Sequence, residues 1–488
     1  MKTGFRSHCA PTYRLLADDQ IKELHRATLE LLENVGVRVM DQEALQLLWD
    51  AGCRIKGDLA QFPNWLVEEC LHSTPSRITI YTRDGQEAMH LEGRNVHFGL
   101  GTDLPQTYDL HTDALRDSCL QDVINAATIA DFCDDIDFLA SFALPHDVPT
   151  NLMYIDSFKA QVETSPKPIF FTAAAPQDLA VILDMAAVVA GGNEALREQP
   201  FLIHYAEPLS PLSHSSGAIQ KLFRCAEHGI PVTYTPGMLS GASGPVTLAG
   251  AITVANAEAL SGIVLHQLKA KGAPIISGFG IATMDMRTTA PIYACPEYRL
   301  ALSACADLYH YYEIPMWGTA GVSDAHCFDQ QASMEAAISL LTAALDGANL
   351  VHDVGYLGQG AIGSPATLVM CAELISYVKR LMQGFEIGRE WIDMEGIRQV
   401  GPGGNFLTAD QTLKLFRTHH WQPTLANRDT LRLWKQKGRQ TYGDRAKHKA
   451  LDILKTHMPH PPSDEIVQTL NALRTRAEAA LKGKTLEV

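Results

Sequence analysis

Seven short apolar runs, each followed by a loop and a longer helical stretch, dominate the middle of this chain. They are "IDFLASFA" from Ile136, "PIFFTAAA" from Pro168, "PFLIHYAE" from Pro200, "IPVTYTP" from Ile230, "PIISGFG" from Pro274, "IPMWGTA" from Ile314 and "NLVHDVG" from Asn349. Their starts lie about 30 to 45 residues apart, the length of a strand–helix unit. Continuous apolar strands alternating with helices predict an α/β protein with a parallel sheet covered on both faces. The expected architecture is a (β/α)8 TIM barrel, for which seven strands are one short. The eighth is expected around Val96 or just before Gly401. A doubly wound sheet is the competing architecture, weakened because no glycine-rich fingerprint follows the first strand.

The flanks read differently. Ile21, Leu24, Leu29, Leu32 and Val35 recur at helical spacing before Gly36, and a second helix follows through Ala44 and Leu48. Between 78 and 110, "ITIYTR", "AMHLEG" and "VHFGLG" predict hairpins. The expected division is therefore a helical cap with hairpins over 1–110, the barrel over 111–420 and a helical tail over 421–488. Within the tail, Ser463 is expected to cap the last helix, with Glu465 inside it.

Composition narrows the function. Hydrophobic residues at 46% and charged residues at 19% are globular figures. A formal charge of −15 disfavours nucleic acid, whose binding is built on clustered Lys and Arg, and suits a small cation better. "MKTGFRSHCAPTYRLLADDQ" lacks the apolar core of a secretion signal. No continuous apolar run reaches the ~20 residues of a membrane span. Ten scattered cysteines without a C-x-x-C pair read as reduced thiols of a cytoplasmic protein.

In a barrel, binding and catalytic groups stand at the C-terminal ends of the strands. Those ends supply His204, Tyr205 and Glu207, then Tyr234, Phe279 and Trp317, then His352, Asp353 and Tyr356. Aromatic residues make up only 7% of the chain, so rings at successive strand ends suggest a pocket lined by ring faces, which attract quaternary ammonium ions. Any one such ring could equally plug the barrel mouth. "SDAHCFD" brings Asp324, His326 and Asp329 close in sequence, but the spacing is poor for zinc, and no bound metal is expected. "GPGGNFLTADQ" from Gly401 lacks the Lys and Ser or Thr of a phosphate loop. It reads as a glycine turn feeding a helix capped by Thr408 with Gln411.

Taken together, "SGASGPVTLAGAITVANAEALSGIVLHQLKAKGAPI", "TTAPIYACPEYRL", "GVSDAHCFDQQASMEAA", "LDGANLVHDVGYLGQG" and "GPGGNFLTADQTLKLFR" resemble the trimethylamine methyltransferase family, in particular its members without pyrrolysine. The resemblance takes in "LELLENVGVRV" near the N-terminus and covers nearly the whole chain. It implies a (β/α)8 barrel passing a methyl group from a methylated amine to the Co(I) of a corrinoid, cob(I)alamin, carried by a separate small protein. It also implies a homo-oligomer with no membrane partner. Gln411 stands where the resemblance leads one to expect His. The turn residues Gly403, Gly404 and Asn405 become expected contacts for the corrinoid or its protein, near the barrel mouth.

A substrate that is already quaternary needs no pyrrolysine, because its leaving group is a neutral tertiary amine. Glycine betaine is the first expectation; proline betaine, carnitine and a non-catalytic betaine sensor are the alternatives. The expected substrate-binding residues are His352, Tyr356, Trp317, Tyr205, Tyr234, Phe279 and Glu207. Among these, His352 is expected to donate a hydrogen bond to the betaine carboxylate. No catalytic acid or base is assigned, since a strong cobalt nucleophile requires none.

Overall fold

The structure is a computed structural model and describes residues 8–481. The first seven residues of the stretch read for a secretion signal lie outside it. All ten cysteines are free.

The predicted strand–helix alternation is present. Strands Ile169–Phe171, Leu202–Ala206, Val232–Tyr234 and Ile275–Ser277 form a parallel sheet in sequence order. Strands Trp317–Thr319 and Leu350–Val354 pair in parallel, and Leu350–Val354 pairs in turn with His97–Leu100. The run around Val96 is therefore a parallel strand beside the last one, and the stretch before Gly401 is a helix, Met394–Val400. The run from Ile136 forms no ladder. It joins its neighbours through single parallel bridges, Gly99 to Phe138 and Leu139 to Ile169, and a further bridge links Ser277 to Met316.

Local chemistry explains the helices between the strands. Ser215, Asp329 and Ser364 each accept a hydrogen bond from a backbone N–H in the first turn of the helix they precede, and Pro365 follows Ser364 at the first helical position. Gly229 and Gly347 close two of these helices in the left-handed region, which costs little without a Cβ. Helix Leu248–Lys269 corrects one expectation. By length and composition it could cross a membrane, but 72% of its apolar window is buried inside the protein, where it packs on helices Asp18–Asn34 and Asn64–Ser73. It is a core helix.

The N-terminal helices Asp18–Asn34 and Gln42–Asp50 and the hairpin Ile78–Tyr81 with Glu87–Leu91 follow the sequence reading. "VHFGLG" does not: it joins the parallel sheet instead of a hairpin. One continuous apolar core runs from Ile21 through the central strands to Leu481. Ser463 caps helix Asp464–Leu481 through the Ile466 N–H, and Glu465 lies inside it. The helix after the glycine turn starts later than expected, at Asp410 behind Ala409, so Thr408 and Gln411 form no capping box.

Candidate functional site

Strand Leu202–Ala206 does not pair with Trp317–Thr319, yet the rings of Tyr205 and Trp317 lie nearly parallel, 11° apart in plane and 6.2 Å between centroids. The contact therefore joins strands that are not neighbours in a sheet. His352 joins from the last strand, 5.5 Å from Tyr205 and 5.2 Å from Trp317, and Phe170 lies 5.0 Å from His352. The site of a Cβ on Gly280 would lie 2.8 Å from the Tyr298 hydroxyl and 3.3 Å from the Trp317 ring, so Tyr298 closes the same cluster from its helix. Tyr293 packs on Tyr298 at 5.7 Å. Four strands and one helix thus converge on an aromatic centre.

The polar groups of this centre are not satisfied. Trp317 Nε1 and His352 Nε2 are buried without a hydrogen-bond partner, an arrangement that is costly unless a ligand supplies one. His352 Nδ1 lies 2.7 Å from Asp353 Oδ1, but the angle does not make a hydrogen bond. The Tyr205 hydroxyl donates to Glu207 Oε1. Burial pushes the Glu207 carboxyl above the ordinary range; the Tyr205 hydrogen bond and nearby His352 oppose the rise, and Asp353 adds to it. Burial likewise holds the Tyr205 phenol neutral.

Tyr205 and Glu207 also form the wall of an open cavity of about 1010 Å³. Asp103, Asp178 and Lys221 line it too. Asp103 accepts hydrogen bonds from Ser141 Oγ at 2.8 Å and Thr172 Oγ1 at 2.7 Å, and burial raises its pKa against those bonds. With three carboxyls and one ammonium on the wall, the cavity favours a cation.

Two of the expected strand-end rings point elsewhere. Tyr234 donates to or accepts from His214 Nδ1 at 2.7 Å, and its ring fills the notch left by Gly262 in helix Leu248–Lys269. Phe279 packs edge-on against Tyr309 of helix Pro296–Tyr312, 6.5 Å away. Both face the helical layer, Tyr234 by the alternation of side chains along its strand and Phe279 from the loop after strand Ile275–Ser277. His204 does the same, lying 5.0 Å from Phe171 with both ring nitrogens unpartnered, and burial depresses its pKa well below the ordinary value. Tyr356 sits over Gly101, packs 6.5 Å from Phe142 and gives its hydroxyl to the Thr102 carbonyl, so it edges the site. Gly355 adjoins no ligand space: a Cβ there would meet Leu368 Cα and the Phe142 ring.

Gly403, Gly404 and Asn405 are exposed and absent from the cavity wall. Their segment is anchored by Arg380, which donates to the Gly384 and His419 carbonyls. Arg380 stands in the last turn of helix Pro365–Met382. Asp324 binds the Tyr293 and Ala294 N–H groups, and Asp329 caps a helix. Both have structural duties. Phe170, Tyr298, Asp103 and Lys221 were not singled out from the sequence. Phe170 alone carried a signal, through its alternation in "PIFFTAAA".

Known proteins resemble the chain over its length. It is 31% identical to the trimethylamine methyltransferase MttB of Desulfitobacterium hafniense over 468 residues, covering 95% of this chain and 93% of the relative. It is 32% identical to the trimethylamine methyltransferase MttB2 of Methanosarcina mazei, over 98% of each chain, and 29% identical to a glycine betaine methyltransferase of D. hafniense, over 95% and 96%. Among solved structures, the Methanosarcina barkeri monomethylamine methyltransferase MtmB shares the fold with a TM-score of 0.54 at 10% identity, covering 96% of this chain and 88% of that one. The family model of trimethylamine methyltransferase (MTTB) matches residues 2–481, and the chain belongs to that methyltransferase family.

Proposed function

We propose that this methyltransferase takes a methyl group from a quaternary amine, glycine betaine first, and delivers it to the Co(I) of a corrinoid on a partner protein. The observation that carries the reading is the aromatic centre of Tyr205, Trp317 and His352, with the carboxyls of Glu207 and Asp353 beside it. Ring faces and carboxylates together select a permanent cation. The carbon–nitrogen bond breaks with its electron pair staying on nitrogen, so a neutral tertiary amine leaves. The corrinoid supplies the pair for the new bond. The protein orients the cation and excludes water. His352 adds its ring to this centre, 5.2 Å from Trp317.

The residues fit a large acceptor. A cavity of about 1010 Å³ exceeds what a compact amine fills, leaving space over Tyr205 for a flat acceptor brought by another protein. The ring of pairings, from His97–Leu100 through Phe138 and the successive strands back to His97–Leu100, supports reading the fold as an eight-stranded barrel.

We also assign the surface of 385–437 to a second copy of the chain. Helices Arg389–Ile392, Met394–Val400, Asp410–His419 and Leu431–Gln436 bury no residue, and Leu413 and Phe416 share an exposed face. This stretch carries eight Lys and Arg against six Asp and Glu in a chain of net charge −15, so an acidic copy complements it.

Turnover with free cob(I)alamin tests the main reading. Growth of the methylated-corrinoid absorbance with glycine betaine is expected. Tight binding without that growth would replace the enzyme by a sensor.

A further inference from the structure

The cavity wall is acidic except at one point. Among the described residues lining it, Lys221 is the sole cation, facing Asp103, Asp178 and Glu207. Lys221 stands in the second turn of helix Ser216–His228. Ser215, Ser216, Gly217 and Ala218, at the start of that helix, line the same cavity. The N–H groups of Ser216 and Gly217 have no carbonyl in a preceding turn, and nothing lies within 4 Å of where a Gly217 Cβ would be. Lys221 Nζ donates to the Ala173 carbonyl at 2.8 Å, which leaves two of its three N–H donors free. The positive end of the helix and the ammonium therefore act on the same space.

Tyr205 and Glu207 line the same cavity. A ligand carboxylate placed against His352 would meet Asp353, 2.7 Å from the ring, and Glu207. One placed against Lys221 meets the one cation among the described lining residues, on a wall it shares with Asp103, Asp178 and Glu207.

Resting on the quaternary-amine reading above, we propose that Lys221, with the N-terminus of helix Ser216–His228, holds the carboxylate of a zwitterionic substrate while the aromatic centre holds its ammonium. Choline, which has the cation without the carboxylate, gains nothing from Lys221.

The test uses the full chain with Lys221→Met, which keeps length and removes charge, and Lys221→Arg, which restores charge. Glycine betaine and choline are titrated by calorimetry without any corrinoid, and KM and kcat for glycine betaine are measured with cob(I)alamin. Lys221→Met should weaken glycine betaine by about 10- to 100-fold in Kd and KM, the worth of a charge-assisted hydrogen bond. It should leave choline binding and kcat nearly unchanged, and Lys221→Arg should recover part of the loss. Equal losses for both ligands, or none, would overturn the assignment and leave Lys221 as a tie to the Ala173 carbonyl. Failure of the unmodified protein to bind either ligand would instead overturn the quaternary-amine reading itself.

Discussion

Replacing Tyr205 by leucine removes one ring face from the aromatic centre while keeping an apolar side chain on the strand. The Tyr205 ring lies parallel to Trp317 at 6.2 Å and borders the cavity, so a bound trimethylammonium group would rest against it. A desolvated cation over one ring is worth about 0.5–2 kcal/mol, or roughly a 2- to 30-fold change in Kd. Calorimetry with glycine betaine reads that change directly. The control ligand is tert-butylacetate, which has the same shape and carboxylate but no positive charge. Tyr205→Leu should weaken glycine betaine by that factor and tert-butylacetate far less. Tyr205→Phe, which keeps the ring and loses only the hydrogen bond to Glu207, should fall between Tyr205→Leu and the unmodified protein. Equal weakening of both ligands by Tyr205→Leu would show that the ring shapes the pocket without reading charge.

Three further outcomes are expected. Because burial raises the pKa of Glu207, which faces Tyr205, His352, Asp353 and Lys221, quaternary-amine binding should weaken on acidification, starting at a higher pH than an ordinary carboxylate would give, and Glu207→Gln should flatten that dependence in a calorimetric series. Glu258 is pushed by burial from 4.5 to about 7 even though it accepts hydrogen bonds from Leu212 N–H and Ser210 Oγ. A raised carboxyl contributes its stability below the unfolded value and loses it as the pH rises to the folded one. The unfolding free energy should therefore fall between about pH 4.5 and 7 by an amount on the order of 3 kcal/mol from this group, a contribution that Glu258→Gln removes. Leu413→Asp with Phe416→Asp should shift the protein to a smaller species in light scattering at unchanged melting temperature, since neither side chain is buried; an unchanged size would discard the second-copy assignment.

The strand–helix alternation was legible because each central strand is a continuous apolar run, and such runs occur where both faces of a sheet are covered. The run at Ile136 was legible as apolar but forms only isolated bridges. The strand at His97–Leu100 was one of two places expected for the eighth strand and could not be fixed there, since its parallel partner Leu350–Val354 is remote in sequence and leaves no local signal. Position at a strand end did identify Tyr205, Trp317 and His352 as neighbours. It could not separate them from Tyr234 and Phe279, because facing depends on register and one residue of slip turns a side chain to the other face. Tyr298 and Lys221 reach the site from helices, and Asp103 from a loop where it adopts a positive φ of 61°. No motif marks any of these three.

The central claim is a methyl transfer that starts from a quaternary nitrogen, and label tracing reads it most directly. The purified protein would be incubated with cob(I)alamin and glycine betaine carrying a carbon-13 label in its N-methyl groups, with labelled trimethylamine in a parallel reaction, and the products followed by NMR. The account predicts labelled methyl on the corrinoid and dimethylglycine in equal amounts from glycine betaine, and no transfer from trimethylamine. Transfer from trimethylamine at a rate like that from glycine betaine would contradict it.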